Sequence, residues 1–327
     1  MEPGDASGIA LMQPDDLTWC RQLTDSIDPQ LIDKLPLITP STQFIGKISP
    51  FLANKYGLPE DCLIDAGSGD NMFGAIGSGN IREGIVTVSL GTSGTAYALS
   101  QTPCRSSDGE LASFCDATGR YLPLVCVANL ANGYNQFLEQ QRISHEDFDE
   151  LIRRSSAGNK GRVLVPWFSG ERTPNIPLAA PSFFGFGLAD FTPPIIARAL
   201  LEGHILNLYE ASLSLPIKPS VIHLTGGLAR SASFRQAIAD IFEVKVCPVS
   251  GEGAALGAAI HAAWLDQKRS LADLCQELIV FDRAAETLPN RLHHSTYQNL
   301  KKLYHELSCR LRGERASDDL FALRSLL

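Results

Sequence analysis

Apolar residues fall in short runs separated by glycine-rich turns, and from about residue 84 onward these runs alternate with stretches of helical spacing. Ile85-Val86-Thr87-Val88-Ser89-Leu90 and Thr95-Ala96-Tyr97-Ala98-Leu99 read as two strands around Gly91-Thr92-Ser93-Gly94, a hairpin signal. A second strand group spans Tyr121 to Val127, and Asn132 to Gln140 reads as a helix. Val163 to Trp167 is a short apolar run entering Gly170-Glu171-Arg172-Thr173-Pro174. Pro193 to Leu213 reads as a long helix, with Ile196, Leu200, Leu206 and Leu213 apolar. Val221 to Leu224 enters Thr225-Gly226-Gly227, and Ser231 or Ser233 then caps a helix whose apolar face is Phe234, Ile238, Ile241 and Phe242. A strand over Val244 to Val249 leads to a helix of small residues, Gly251 to Ala259, built to lie close against a neighbour. Leu300, Leu303, Tyr304, Leu307 and Leu311 outline an amphipathic tail helix. Alternation of this kind predicts an α/β domain with helices covering a sheet.

The N-terminal part is less regular. Asp5-Ala6-Ser7-Gly8 reads as a turn running into a short strand, Ile9 to Met12, so the core pattern begins by about the ninth residue. That abruptness points to a segment missing upstream. Residues 15 to 60 read as helices broken by prolines, with Ser49 as N-cap and Pro50 at the first helical position of one of them. Leu63-Ile64 reads as a buried strand running into Ala66-Gly67-Ser68-Gly69-Asp70-Asn71. Met72, Ala75 and Ile76 then have helical spacing, and Gly74, Gly77 and Gly79 permit close backbone approach. The segment 67–80 is the candidate hinge.

Composition narrows the function without naming it. The 327 residues are 44% hydrophobic and 20% charged, with a net charge of -8. No basic cluster exceeds Arg153-Arg154 or Lys301-Lys302, which argues against a nucleic-acid or anionic-membrane surface. No apolar run is long enough to span a bilayer, and the opening residues lack the basic and apolar regions of a signal peptide. The eight cysteines form no Cys-x-x-Cys pair and none has a His at zinc-ligand spacing. Buried, reduced thiols in a cytoplasmic protein are expected.

Asp70 follows an apolar run and is flanked by glycines, so it reads either as a helix cap or as a base for a substrate hydroxyl, with Asn71 orienting it. Gly91-Thr92-Ser93-Gly94 reads either as a plain hairpin loop or as a phosphate cradle of backbone N–H groups and hydroxyls. It is not a Walker-type loop, because no Gly-Lys-Ser/Thr follows. Thr225-Gly226-Gly227, with the loop from Leu228 to Ser231, is either a structural turn or a place where adenine or ribose lies beside backbone. Glu171-Arg172 reads as an internal ion pair fixing a loop, and His204, His223 and His261 as core or interface histidines.

Taken in order, Asp-Ala-Ser-Gly, Gly-Ser-Gly-Asp-Asn, Ser-Leu-Gly-Thr-Ser-Gly, Ser-Gly-Glu-Arg-Thr-Pro, Thr-Gly-Gly-Leu-Ala-Arg-Ser and Ala-Ala-Leu-Gly-Ala-Ala resemble the FGGY carbohydrate kinases, most closely their xylulokinase branch. The resemblance runs from residue 5 to about 262. It implies an actin-like ATPase (ribonuclease H-like) fold, with residues 1–75 a remnant of the N-terminal domain, 76–285 a complete C-terminal nucleotide-binding domain and 286–327 a helical tail. It implies ATP with Mg²⁺ as cofactors and D-xylulose as the sugar phosphorylated. Asp70 is the implied catalytic base and Asn71 a sugar contact, Gly91, Thr92, Ser93 and Gly94 a phosphate-binding hairpin, and Gly226, Gly227 and Arg230 part of the adenosine site.

Two departures matter. Family members carry an N-terminal Asp-x-Gly-Thr-Ser hairpin and a Met-His sugar-contact pair, and neither occurs in this sequence. Residues 1 to about 75 are therefore expected to form an incomplete sheet with exposed edges, and the chain alone to be nearly inactive. Besides the sugar, the expected partner is the missing N-terminal segment or a second copy of the chain. A kinase for another sugar or polyol, and a non-catalytic nucleotide-binding remnant, are the rival readings.

Overall fold

Glu2 opens the fold in the computed structural model, which describes residues 1–251 and 253–327. Its carboxylate accepts from the amides of Gly4 and Asp5, both at 2.6 Å, and caps helix α1 (Pro3–Gly8) with Pro3 in the first turn. The turn and strand expected over residues 5–12 are thus replaced by a short helix. Only Met12–Gln13 (β1) is extended, paired with Thr18–Trp19 (β2). After α2 (Arg21–Ile27) come β3 (Phe44–Lys47) and α3 (Pro50–Tyr56), which starts as expected, with Ser49 Oγ accepting from the Leu52 amide. Strand β4 (Leu63–Asp65) pairs antiparallel with β3. Leu63 and Ile64 are not buried as expected but 43% and 41% exposed, because β3 and β4 form a separate two-stranded piece that does not join the larger sheet.

Helix α4 (Asp70–Gly77) leads into β5 (Ile85–Leu90), β6 (Gly94–Ala98), β7 (Leu111–Cys115) and β8 (Tyr121–Val127). Then follow α5 (Ala131–Gln141), α6 (His145–Arg153), a small pair formed by β9 (Val163–Val165) and β10 (Ser182–Phe184), and α7 (Pro193–Ser212). Strand β11 (Val221–Thr225), α8 (Ala232–Phe242), β12 (Lys245–Ser250), α9 (Gly253–Gln267), α10 (Leu271–Leu278) and β13 (Val280–Phe281) complete the α/β unit. Ser231, not Ser233, caps α8. The tail carries α11 (His294–Leu311), in which Leu300, Leu303, Tyr304 and Leu307 are buried but Leu311 is exposed, and α12 (Leu320–Arg324).

One seven-stranded sheet, in the order β13-β12-β11-β5-β6-β8-β7, organises the chain from residue 85 onward. β5, β11 and β12 run parallel and the remainder antiparallel. Alternation sorts side chains to two faces. Val86, Val88, Ala96, Ala98, Val125, Val127, Ile222 and Leu224 join the larger core with α5, α7 and α8, while Tyr97, Leu122 and Leu124 join a second core with Met72 and Ile76 of α4, Ile260 of α9 and Leu274 of α10. α4 and α9 cross in close contact. A Cβ on Gly77 would lie 1.7 Å from the Gly253 carbonyl oxygen, and one on Gly257 would lie 1.8 Å from that of Phe73. This is the close approach expected of the small-residue helix, and its partner is the 67–80 segment. The helical expectation over residues 251–259 touches Glu252, which lies outside the described residues. Among the described residues no helix is long and apolar enough to cross a membrane.

Candidate functional site

The end of β5 and the end of β11 meet. Thr225 pairs with Ser89, and Gly226 follows with φ +90°, where a Cβ would stand 2.5 Å from the Leu90 carbonyl oxygen. Only glycine fits there, on both conformational and steric grounds. Beyond β5 the chain bends through Gly91, Thr92 and Ser93, the Gly91 N–H donating to the Ser93 carbonyl at 3.2 Å. The Thr92 carbonyl accepts from the Leu130 and Ala131 amides, both at 3.2 Å, which fixes the bend against the start of α5.

These two turns face one cavity of about 600 Å³, lined by Gly91, Thr92, Gly227, Leu228 and Arg230, with His145, Glu146 and Asp149 of α6 opposite. Gly227 borders open space. Ser231 Oγ donates to Asp149 Oδ1 at 2.9 Å, so the α8 cap also ties the wall of α6 to the turn. The structure therefore brings Gly91, Thr92, Gly227 and Arg230 together, with Gly226 buttressing the turn. Ser93 takes part through its backbone. Gly94 is buried under Val127 and Leu130, and its want of a side chain serves packing. His145, Glu146 and Asp149 were not anticipated, since a helix entry is all that their local sequence signals.

Asp70 stands at the first position of α4 with its side chain exposed. Its Oδ1 accepts from the Asn71 amide at 2.7 Å and from Asn71 Nδ2 at 3.2 Å, which makes Asn71 its hydrogen-bonding neighbour. Ser78 Oγ lies 2.8 Å from Thr87 Oγ1 of β5, and a Cβ on Gly74 would meet the Tyr97 hydroxyl of β6 at 3.3 Å. Followed backwards, α4 thus crosses β5 and then β6, which carries Asp70 toward β8. Burial pushes the Tyr97 hydroxyl well above its ordinary range, and the Asp70 charge adds to the shift.

The turn before Asp70 is clamped from two sides. Buried Glu2 accepts from Ser68 Oγ at 3.1 Å and from Ser41 Oγ at 2.9 Å as well as capping α1. Asp65 Oδ1 accepts from the Gly67 amide at 3.0 Å, and its Oδ2 lies 3.2 Å from Nδ1 of buried His261 on α9. The Nε2 of His261 reaches the Ala117 carbonyl at 3.0 Å. Asp5 Oδ1 would sit 3.1 Å from a Cβ on Gly69, placing a further carboxylate beside the turn. Glu2 and Asp5 are long-range neighbours that no local pattern reveals.

The expected Glu171–Arg172 ion pair is not formed. The Glu171 carboxylate, 3% exposed, instead accepts from the Ala128 amide, from Asn129 Nδ2 at 3.1 Å, from Asn207 Nδ2 at 2.9 Å and from the Arg172 amide at 2.8 Å. It does fix a loop, but through amides. His204 and His223 are core histidines, with Nδ1 on the Leu200 and Ser78 carbonyls at 2.6 Å each. Burial pushes His204 down to about 4, so its ring is neutral at neutral pH. All eight cysteines are free thiols, and Cys20, Cys62 and Cys126 are only partly buried. Among the described residues no group of three or more His, Cys, Asp or Glu side chains is placed to hold a metal ion.

Known proteins share this fold. The family profile described as "FGGY family of carbohydrate kinases, C-terminal domain" matches residues 86–265, and the corresponding N-terminal domain profile matches residues 1–77. Xylulose kinase of Haemophilus influenzae is 38% identical over 309 residues, covering 93% of this chain and 63% of that protein. The crystal structure of a ligand-bound xylulose kinase from Lactobacillus acidophilus superposes with a TM-score of 0.87 at 27% identity, over 95% of this chain and 64% of that one. A gluconate kinase from the same organism gives a TM-score of 0.85 at 26% identity, again over 95% and 64%. The chain spans less than two thirds of the length of these relatives. Its sheet has the actin-like ATPase form. With the profile covering most of that sheet and both glycine turns at its strand ends, the chain belongs to the FGGY family of carbohydrate kinases.

Proposed function

We propose that this chain is the nucleotide-binding and base-bearing part of a kinase that transfers a phosphoryl group from ATP to a sugar hydroxyl, with D-xylulose the substrate and D-xylulose 5-phosphate the product. The observation that carries the proposal is the cavity where the Gly91–Thr92 bend and the Gly227–Arg230 turn meet. A Cβ at Gly226 would abolish that junction, while the open space at Gly227 leaves room for a flat group beside backbone. The adenosine lies against Gly227 and Arg230, and the phosphates against the amides and hydroxyls of Gly91 to Ser93. Mg²⁺ entering with the nucleotide would supply charge neutralisation at the phosphates, since among the described residues no group of three or more His, Cys, Asp or Glu side chains is placed to hold it without them. Asp70 accepts the proton of the attacking hydroxyl as its oxygen bonds to phosphorus and the bond to ADP breaks.

The division at 75/76 and 285/286 belongs to the same proposal, as does a cytoplasmic site of action, where ATP and free sugar meet. The likeness to named xylulose kinases, repeated in Staphylococcus epidermidis at 31% identity, supports the sugar. The gluconate kinase neighbour supports the rival, a kinase for another sugar or polyol. Phosphorylation of xylulose, gluconate and glycerol by the chain extended to the length of its relatives separates the two readings.

In that extended protein Asp70→Asn is expected to lower kcat by a factor of about 10² to 10⁴ with nucleotide affinity unchanged. Turnover that survives the substitution removes Asp70 from the role of base. The 327-residue chain alone is expected to turn over far more slowly than the extended one, and equal rates would refute that part of the proposal.

A further inference from the structure

The Ser-Gly-Glu-Arg-Thr-Pro segment has no part in the cavity described above, yet it delivers a cation to the other face of the sheet. Register places Thr225 opposite Ser89, Ser89 opposite Thr95, and Thr95 opposite Cys126. These four residues form one row across β11, β5, β6 and β8, on the face that carries Tyr97 and Leu124, because they stand two positions along from that buried row. The neighbouring row, His223, Thr87, Tyr97 and Leu124, is covered by α4, α10 and β13. The hydroxyl row itself is only partly buried. It lies between α4, whose first residue is Asp70, and the Gly91–Ser93 bend.

Arg172 closes the β8 end of this row. Its side chain is exposed, and its Nη1 donates to Cys126 Sγ at 3.4 Å. Thr173 Oγ1 donates to the Cys126 carbonyl at 3.1 Å, and the Arg172 amide is held by buried Glu171 at 2.8 Å. The guanidinium is therefore projected from a fixed backbone, which lowers the entropy lost when it takes a ligand. No carboxylate of the described residues pairs with it, although Arg120, Arg162 and Arg198 each have one. A planar fork of donors beside three hydroxyls suits a dianionic phosphoryl group better than a neutral sugar.

We propose that Arg172, with the Thr225–Ser89–Thr95 row, receives the terminal phosphoryl group as it passes from the nucleotide to the hydroxyl at Asp70. This rests on the kinase reading above and adds to it the residue that meets the transferred group. Arg172 is then expected to matter for a nucleoside triphosphate and not for the diphosphate.

Equilibrium binding of ADP and of the β,γ-imido analogue of ATP to the 327-residue chain tests this without turnover. In Arg172→Ala the analogue is expected to bind about tenfold more weakly or worse, with ADP affinity within about twofold of wild type. Arg172→Lys, which keeps the charge and loses the fork, is expected to fall between. In the wild type the analogue is expected to slow alkylation of Cys126, read by mass spectrometry, more than ADP does. Equal weakening of both nucleotides, or no change in either, overturns the assignment of Arg172 and leaves the kinase reading standing. A wild-type chain that binds neither nucleotide overturns both.

Discussion

A methyl group on Gly257 would come within 1.8 Å of the Phe73 carbonyl oxygen, a distance that no rotamer change relieves because the obstacle is backbone. Gly257→Ala is therefore expected to push α9 off α4 and destabilise the chain by about 2–3 kcal/mol, read from the denaturant midpoint. Gly227→Ala, which meets nothing within 4 Å, is the control and should leave the midpoint near wild type. Close approach at residues 251–259 was legible in the run of small side chains, but small side chains do not say which surface they meet. Glu171 teaches the converse. Adjacent opposite charges suggest a pair, yet Glu171 sits in a β-bridge with Ile176, where neighbours project to opposite sides. Its carboxylate turns inward to amides from residues 128, 129 and 207, and Arg172 turns out.

At the scale of elements, α7 was readable end to end, since Pro193 starts it and its apolar positions persist for several turns. Helix α1 was not readable, because six residues are too few to show a period and its cap is a glutamate. The polar residues within buried α7 carry a pH dependence. Glu202, 2% exposed, is pushed up to about 7 by burial, against the pull of Arg198, the Gly158 amide and the Tyr297 hydroxyl. The folded chain thus holds a proton that the unfolded chain, titrating near 4.5, releases. That stabilisation is complete below about 4.5 and is lost as pH rises through about 7. Glu202→Gln keeps a neutral, hydrogen-bonding group there. Its unfolding free energy relative to wild type, read from denaturant melts, is expected to rise between pH 5 and pH 8 by an amount on the order of 2 kcal/mol. A difference that does not change with pH would place the titration elsewhere.

For the whole molecule, the consequential feature is the contrast between the seven-stranded sheet, which has a packed core on each face and one partly open row, and the β3–β4 pair. Phe44, Ile45, Leu63 and Ile64 leave apolar surface open on that pair. Ile45→Lys with Leu63→Lys is expected to reduce concentration-dependent light scattering of this chain while leaving its melting midpoint within a degree or two. A fall in the midpoint comparable to that of Gly257→Ala would mean that these side chains support the fold of the chain as it stands.

The alternation of strands and helices after residue 84, the cap at Ser49, and the glycine turns at residues 67–70, 91–94 and 226–227 follow from the amino-acid sequence alone, because each rests on spacing or on a backbone conformation few residues adopt. The strands at Thr18–Trp19 and Phe44–Lys47 and the choice of Ser231 over Ser233 do not. Tertiary structure decided which turns share a cavity, that Glu2 and His261 clamp the Asp70 turn, and that Arg172 stands at the end of a hydroxyl row. Those depend on strand order and register, set by contacts between residues far apart in the chain, and nothing local encodes them.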